Sequence, residues 1–153
     1  MGLGTWRTPM VVLTCGTAIL CVSFGLRQNL GLYMAPISAD LGWGRETFAF
    51  AVAFQSLVWG ATTPIFGLLA DRYGPAKVVA AGAALYAAGL YVMSQATTPM
   101  EATMGIGVLT GLAMSMTGFP IVLSVIGRIV APEKRSIYLG IGSAGGSSGQ
   151  LVL

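Results

Sequence analysis

Long apolar runs alternate with short polar knots along this chain, and the length of the runs sets the reading. Four segments, roughly Met10 to Met34, Phe48 to Leu69, Val78 to Ser94 and Ala102 to Ile126, are apolar almost throughout. Each approaches the length of about 20 residues that a helix needs to cross the hydrocarbon of a bilayer. Turn and charge signals fall between them, over Pro36 to Glu46, Ala70 to Lys77, Ala96 to Glu101 and Gly127 to Ser136. A fifth apolar segment begins near Ile137 and runs to Leu153, where the sequence stops without a polar flank. That ending reads as a cut, so the fifth span is expected to be truncated.

Composition sharpens the picture. The chain is 55% hydrophobic and 8% charged, about a third of the charge of a soluble domain, and its mean hydropathy is +0.79. A soluble fold of this size would have little with which to cover its surface. The 22 glycines suit lipid, where small residues let helix backbones approach closely. The fold class expected is therefore all-α and integral to the membrane.

The titratable residues exclude several chemistries. The chain has no His, and its five acids are scattered, which leaves no Ser-His-Asp, Cys-His or zinc constellation. No cofactor and no metal is expected, and the chain does not read as an enzyme. Cys15 and Cys21 lie in one apolar run and point roughly 120° apart on a helix, so they pack as small apolar residues. The net charge of +3 is not gathered on one arm or face, and no nucleic-acid partner is implied. Arg7 ahead of an apolar run resembles a signal peptide, but no small-residue cleavage site follows, so the run is read as a retained first span.

Basic residues instead sort by side. Arg7, Arg72, Lys77, Arg128, Lys134 and Arg135 fall in connections on one side, Arg45 alone on the other, and Arg27 within a span. Cytoplasmic loops retain Lys and Arg, so the N-terminus and the turn at Asp71 are expected in the cytoplasm, in a multi-pass protein of the cell's inner membrane. Trp6 and Trp43 stand where amphipathic rings favour the interface.

Glycine spacing marks helix contacts. Gly107, Gly111 and Gly118 share one face of the fourth span by their spacing, and Gly142, Gly145, Gly146 and Gly149 make two overlapping GxxxG pairs in the fifth. Pro64 and Pro120 fall inside spans, where each removes a backbone bond and favours a kink.

The polar knot from Gly67 to Lys77 reads Gly-Leu-Leu-Ala-Asp-Arg-Tyr-Gly-Pro-Ala-Lys. It resembles the cytoplasmic signature of the major facilitator superfamily, G-x-x-x-D-R-x-G followed by basic residues, between that family's second and third helices. Gly67, Asp71, Arg72 and Gly74 match; Pro75 and Ala76 stand where the family often has cations, leaving Lys77. Physically, Gly67 would admit a neighbouring helix, Asp71 would pair with a cation or a helix N-terminus, and Gly74 would take positive φ. The plainer reading is a solvated turn that anchors topology.

Further text is similar to the monocarboxylate and oxalate/formate branch of that superfamily, in its bacterial form. It comprises Phe24 to Tyr33, Leu41-Gly42-Trp43, Gln55, Trp59-Gly60 and the basic pair Lys134-Arg135 leading into Gly140, Gly142 and Gly145. The acidic-Gly-aromatic opening of the animal carriers is absent. The resemblance implies the N-terminal part, about five helices, of a twelve-helix carrier that works by alternating access. It also implies that the C-terminal helices of the parent are missing from this chain.

Arg27 is the strongest candidate for substrate contact. An arginine near the centre of a spanning helix costs about 2.5 to 3.5 kcal/mol on insertion scales, so it should face a wet cavity or a partner, and a cation there suits a carboxylate. The resemblance agrees, since related carriers place a basic residue in this helix near the substrate path. Alternatively Arg27 snorkels to the outer interface or pairs with an acid elsewhere. Gln55 and Trp59, one turn apart, are secondary candidates that otherwise serve interhelical hydrogen bonding and packing. The expected function is transport of a small organic anion, a monocarboxylate, with the lipid bilayer and that anion as partners. The alternatives are another solute or drug carrier in which Arg27 is structural, or a small membrane scaffold.

Overall fold

The computed structural model describes residues 9–152; Trp6, Arg7 and Leu153 lie outside them. Every regular element among the described residues is helical. They are α1 (Pro9–Leu41), α2 (Arg45–Tyr73), α3 (Pro75–Ser94), the short α4 (Pro99–Ala102), a π-helical stretch (Thr103–Leu109), α5 (Thr110–Thr117), α6 (Phe119–Ile129), a 3-10 turn (Pro132–Lys134) and α7 (Arg135–Val152). Four stretches are long and apolar enough to span a bilayer: Pro9–Ile37, Arg45–Tyr73, Pro75–Ser94 and Pro99–Ile129. α7 does not join them by length and apolarity, since Ser143, Gly145, Gly146, Ser147, Ser148 and Gly149 dilute its apolar content.

The boundaries follow local chemistry. α1 stops where Gly42 takes φ 65°, a conformation that costs glycine little. α2 ends before Gly74, at φ 93°, whose N–H reaches back 3.1 Å to the carbonyl of Ala70, and Pro75 opens α3 at once. Thr98 caps α4 in a reciprocal box: its hydroxyl accepts from the Glu101 N–H, while the Glu101 carboxylate accepts from the N–H groups of Thr97 and Thr98 at 2.8 and 3.2 Å.

Three expectations need correction. The connection expected from Pro36 to Glu46 is helical as far as Leu41, with Pro36 inside α1. A proline removes one bond to the preceding turn, and here Leu30 and Ile37 on either side pack against a buried cluster of Phe48, Ala51 and Ile106. Pro120 does not kink a continuous span: it sits in the first turn of α6, where its missing N–H would have had no partner. Gly118 does not extend the face of Gly107 and Gly111, because it is the break itself, extended at φ −77° and ψ 177° between α5 and α6.

The described residues form two compact units, residues 30–117 and residues 9–29 with 118–152. In the first, a Cβ at Gly107 would meet Phe54 and the Ala51 carbonyl, and one at Gly111 the Gln55 carbonyl and Val58. Residue numbers rise together, so α2 runs parallel to the fourth span. Gly82 meets Ala113, Met116 and Thr117 while Gly89 meets Gly105, Leu109 and Thr110; α3 therefore runs antiparallel to it.

In the second unit the two GxxxG pairs of α7 serve different neighbours. Gly145 and Gly149 lie against Thr17 and Cys21 of α1, one turn apart on each helix, so these helices are parallel. Gly142 and Gly146 lie against Leu123, Ile126 and Phe119 of the antiparallel α6. Gly16 of α1 receives Val122 and Ile126, and Phe24 meets Phe119 with ring centroids 4.5 Å apart.

Candidate functional site

Arg27 lies within the apolar span Pro9–Ile37, with residues 28–37 still to follow. It is half-buried, one turn beyond the buried Ser23 and Phe24. α1 extends past it to Leu41, roughly 20 Å further along the axis, so the guanidinium is not at a helix end. Tyr33 and Leu32, farther along the same helix, are exposed.

The turn from Gly67 to Lys77 is built from the end of α2 and the start of α3. Asp71, Arg72 and Lys77 are exposed, and the Arg72 guanidinium rests 5.6 Å from the centre of the adjoining Tyr73 ring. Gly74 has the positive φ the turn requires. Gly67 was expected to admit a neighbouring helix, yet nothing among the described residues comes within 4 Å of where its Cβ would be. Its face of α2 stands open, as does that of Gly60.

Gln55 and Trp59 share α2 but differ in engagement. The Gln55 side chain is 1% exposed, and its Nε2 donates to the Thr110 hydroxyl at 2.6 Å. The Trp59 ring is half-buried; its carbonyl accepts from the hydroxyls of Thr63 at 2.6 Å and Ser115 at 3.0 Å. One turn on, the Thr62 and Ser115 hydroxyls lie 2.7 Å apart. α2 and the fourth span are thus joined by a polar ladder of Gln55 to Thr110 and Thr62 to Ser115. Sequence reading missed Thr110 and Ser115. The available signal was two hydroxyls among the apolar residues and glycines of the fourth span, on the side that carries Gly107 and Gly111.

An open groove at the start of α2 is lined by Glu46, Thr47, Phe50, Thr98, Pro99, Met100 and Thr103. Its one charged residue is an acid, which does not suit an anion. Arg27 and the turn cations are not among its walls.

Apolar helices long enough to span a bilayer, packed in alternating directions through glycine faces, define a multi-pass helical membrane protein. The family model described as "Major Facilitator Superfamily" matches residues 7–153, and the chain belongs to that superfamily. Relatives include the voltage-gated purine nucleotide uniporter SLC17A9 of Rattus norvegicus, 28% identical over 96% of this chain and 34% of the relative. Monocarboxylate transporter 11 of Mus musculus is 25% identical over 94% of the chain and 32% of the relative. Probable anion transporter 2, chloroplastic, of Oryza sativa subsp. japonica is 28% identical over 95% and 27%. The chain spans about a third of the length of the curated relatives it matches.

Proposed function

We propose that this chain forms the first helices of a secondary carrier that moves a small organic anion, a monocarboxylate, by alternating access, as in the oxalate/formate-like bacterial branch. Membership of the superfamily supports transport, and relatives named for monocarboxylates and for anions support the charge of the cargo. The observation that carries the reading is Arg27, a cation half-buried inside the apolar span of α1. A guanidinium at this depth can present paired donors to a carboxylate. Gln55 and Trp59 contribute as a packed wall, since the Gln55 amide is already held by Thr110. The turn of Gly67, Asp71, Arg72, Gly74 and Lys77 faces the cytoplasm in this reading and serves gating, with the N-terminus on the same side of the inner membrane. Proton coupling and anion exchange are both compatible with it.

Uptake of labelled monocarboxylates into vesicles by the complete carrier tests the proposal. Arg27→Gln is expected to raise the half-saturating concentration at least tenfold, the equivalent of about 1.4 kcal/mol, with Arg27→Lys intermediate. Normal uptake with normal affinity in Arg27→Gln overturns Arg27 as the contact. A nucleotide cargo is the second reading, favoured by the relative named as a purine nucleotide uniporter; competition by nucleotides but not by carboxylates would select it.

A further inference from the structure

The fourth span leaves α-helical register over Thr103–Leu109, where it becomes π-helical before α5 resumes at Thr110. At the end of the stretch the Thr110 N–H bonds to the carbonyl of Gly105, five residues back. In an α-helix that N–H would serve Ile106. The Ile106 carbonyl instead receives the hydroxyl of Thr110 itself, so the side chain takes the place of its own backbone donor. A second donor completes the arrangement from another helix: Gln55 Nε2 donates to that hydroxyl oxygen at 2.6 Å and fixes the direction of its proton. All of this is dry, with Thr110 0%, Gln55 1% and Ile106 2% exposed.

We propose that the fourth span has two registers, π and α, and that Gln55, acting through the Thr110 hydroxyl, is the latch that selects the π register. Without a hydroxyl at position 110 the Ile106 carbonyl is buried and unsatisfied, and the cheapest repair is to return the Thr110 N–H to it, which restores the α-helix. Removing the π turn rotates the preceding residues by about 100°, one residue's worth. The part that turns is the N-terminal end, because α5 is held in place: Thr110, Gly111, Ala113, Met114, Ser115 and Thr117 are all buried. Each residue before the stretch then takes the direction of the one before it. Ala102, now fully buried, would point where the exposed Glu101 points, and the half-buried Thr103 would turn inward.

A register shift of this kind would be a conformational device, and π turns inside α-helices are frequent at functional sites. At Gly105 and Gly107 the stretch lies close to the backbones of α3 and α2, so a return to the α register also needs α3 to give way where Ile106 comes to stand in the place of Gly105. The inference does not depend on the nature of the cargo.

Cysteine labelling of the full chain in lipid tests it, in a background with Cys15→Ala and Cys21→Ala. With Gln55 and Thr110 intact, Ala102→Cys is expected to resist a membrane-impermeant maleimide and Thr103→Cys to react. In Gln55→Leu with Thr110→Val the pattern should exchange, Ala102→Cys gaining reactivity and Thr103→Cys losing it. Thr110→Ser keeps the hydroxyl and should keep the original pattern. An unchanged pattern in the folded double variant, or a shifted one in Thr110→Ser, overturns the latch. If the double variant does not fold, Gln55→Leu alone is expected to give partial reactivity at Ala102→Cys, and full protection there overturns the proposal equally.

Discussion

α7 approaches α1 through Gly145 and Gly149, and the fourth span approaches α2 through Gly107 and Gly111. Both pairs have the same spacing, and both set glycine against a parallel helix. The surroundings differ. Beside Gly145 the Thr17 hydroxyl is buried with no hydrogen-bond partner among the described residues. Beside Gly111 the buried polar groups are matched, Gln55 to Thr110 and Thr62 to Ser115. In lipid, where apolar surface gains nothing by leaving the tails, the first contact rests on van der Waals fit around Gly145 and Gly149, with the Tyr138 hydroxyl reaching the Met10 sulfur at 3.9 Å elsewhere along the same two helices, and the second adds interhelical hydrogen bonds at the contact itself. The first should be more sensitive to volume and the second to polarity.

The sharpest way to break the dry contact is Gly149→Leu. A Cβ at Gly149 falls on the backbone of Cys21, which cannot rotate away. Overpacking against backbone should cost about 3 kcal/mol, at the upper end of the usual range, read as a fall in the midpoint of thermal unfolding in detergent. Gly105→Ala is a companion test in the other unit, on the face of the fourth span that meets α3. Its Cβ would stand 2.9 Å from the Gly89 carbonyl and 3.0 Å from the Met93 nitrogen, and about 2 kcal/mol is expected. A larger effect for Gly105→Ala than for Gly149→Leu would reverse the proposed order.

Much of this was legible in the residues. Apolar run length gave the spans, because bilayer thickness leaves little choice of helix length. The Gly142 to Gly149 pairs were readable as contacts because spacing on a straight helix fixes direction. Gly74 was legible because a turn between two spans needs positive φ. Gly118 was misplaced because the helix that carries Gly111 ends at Thr117, a break that no composition signal announced. The two sides of the α7 ladder were equally hidden, since which helix meets Gly142 and which meets Gly145 depends on packing. Gln55 was visible as a polar residue in lipid, but its partner was not, because Thr110 lies far away in the chain and threonine is common in membrane helices.

Polarity should matter more in the latched contact. A double-mutant cycle of Gln55→Leu and Thr110→Val is expected to give a coupling of about 1 kcal/mol, within the range seen for hydrogen bonds between membrane helices. Coupling near zero would mean that the two side chains contribute independently, and the two glycine contacts would then differ only in volume.

Thr17→Val is expected to have an effect of the opposite sign. The substitution keeps the β-branched shape that presses on Gly145 and exchanges the unpartnered hydroxyl for a methyl. A buried hydroxyl without a partner is a liability that grows as the dielectric falls, so its removal should stabilise the chain by about 1 kcal/mol. Thr17→Ser separates polarity from fit. It keeps the hydroxyl and deletes the Cγ2 methyl that meets Gly145, and so should destabilise. A loss of stability in Thr17→Val would show that the hydroxyl is satisfied in the folded protein, and the contact between α1 and α7 would then be held by polar glue as well.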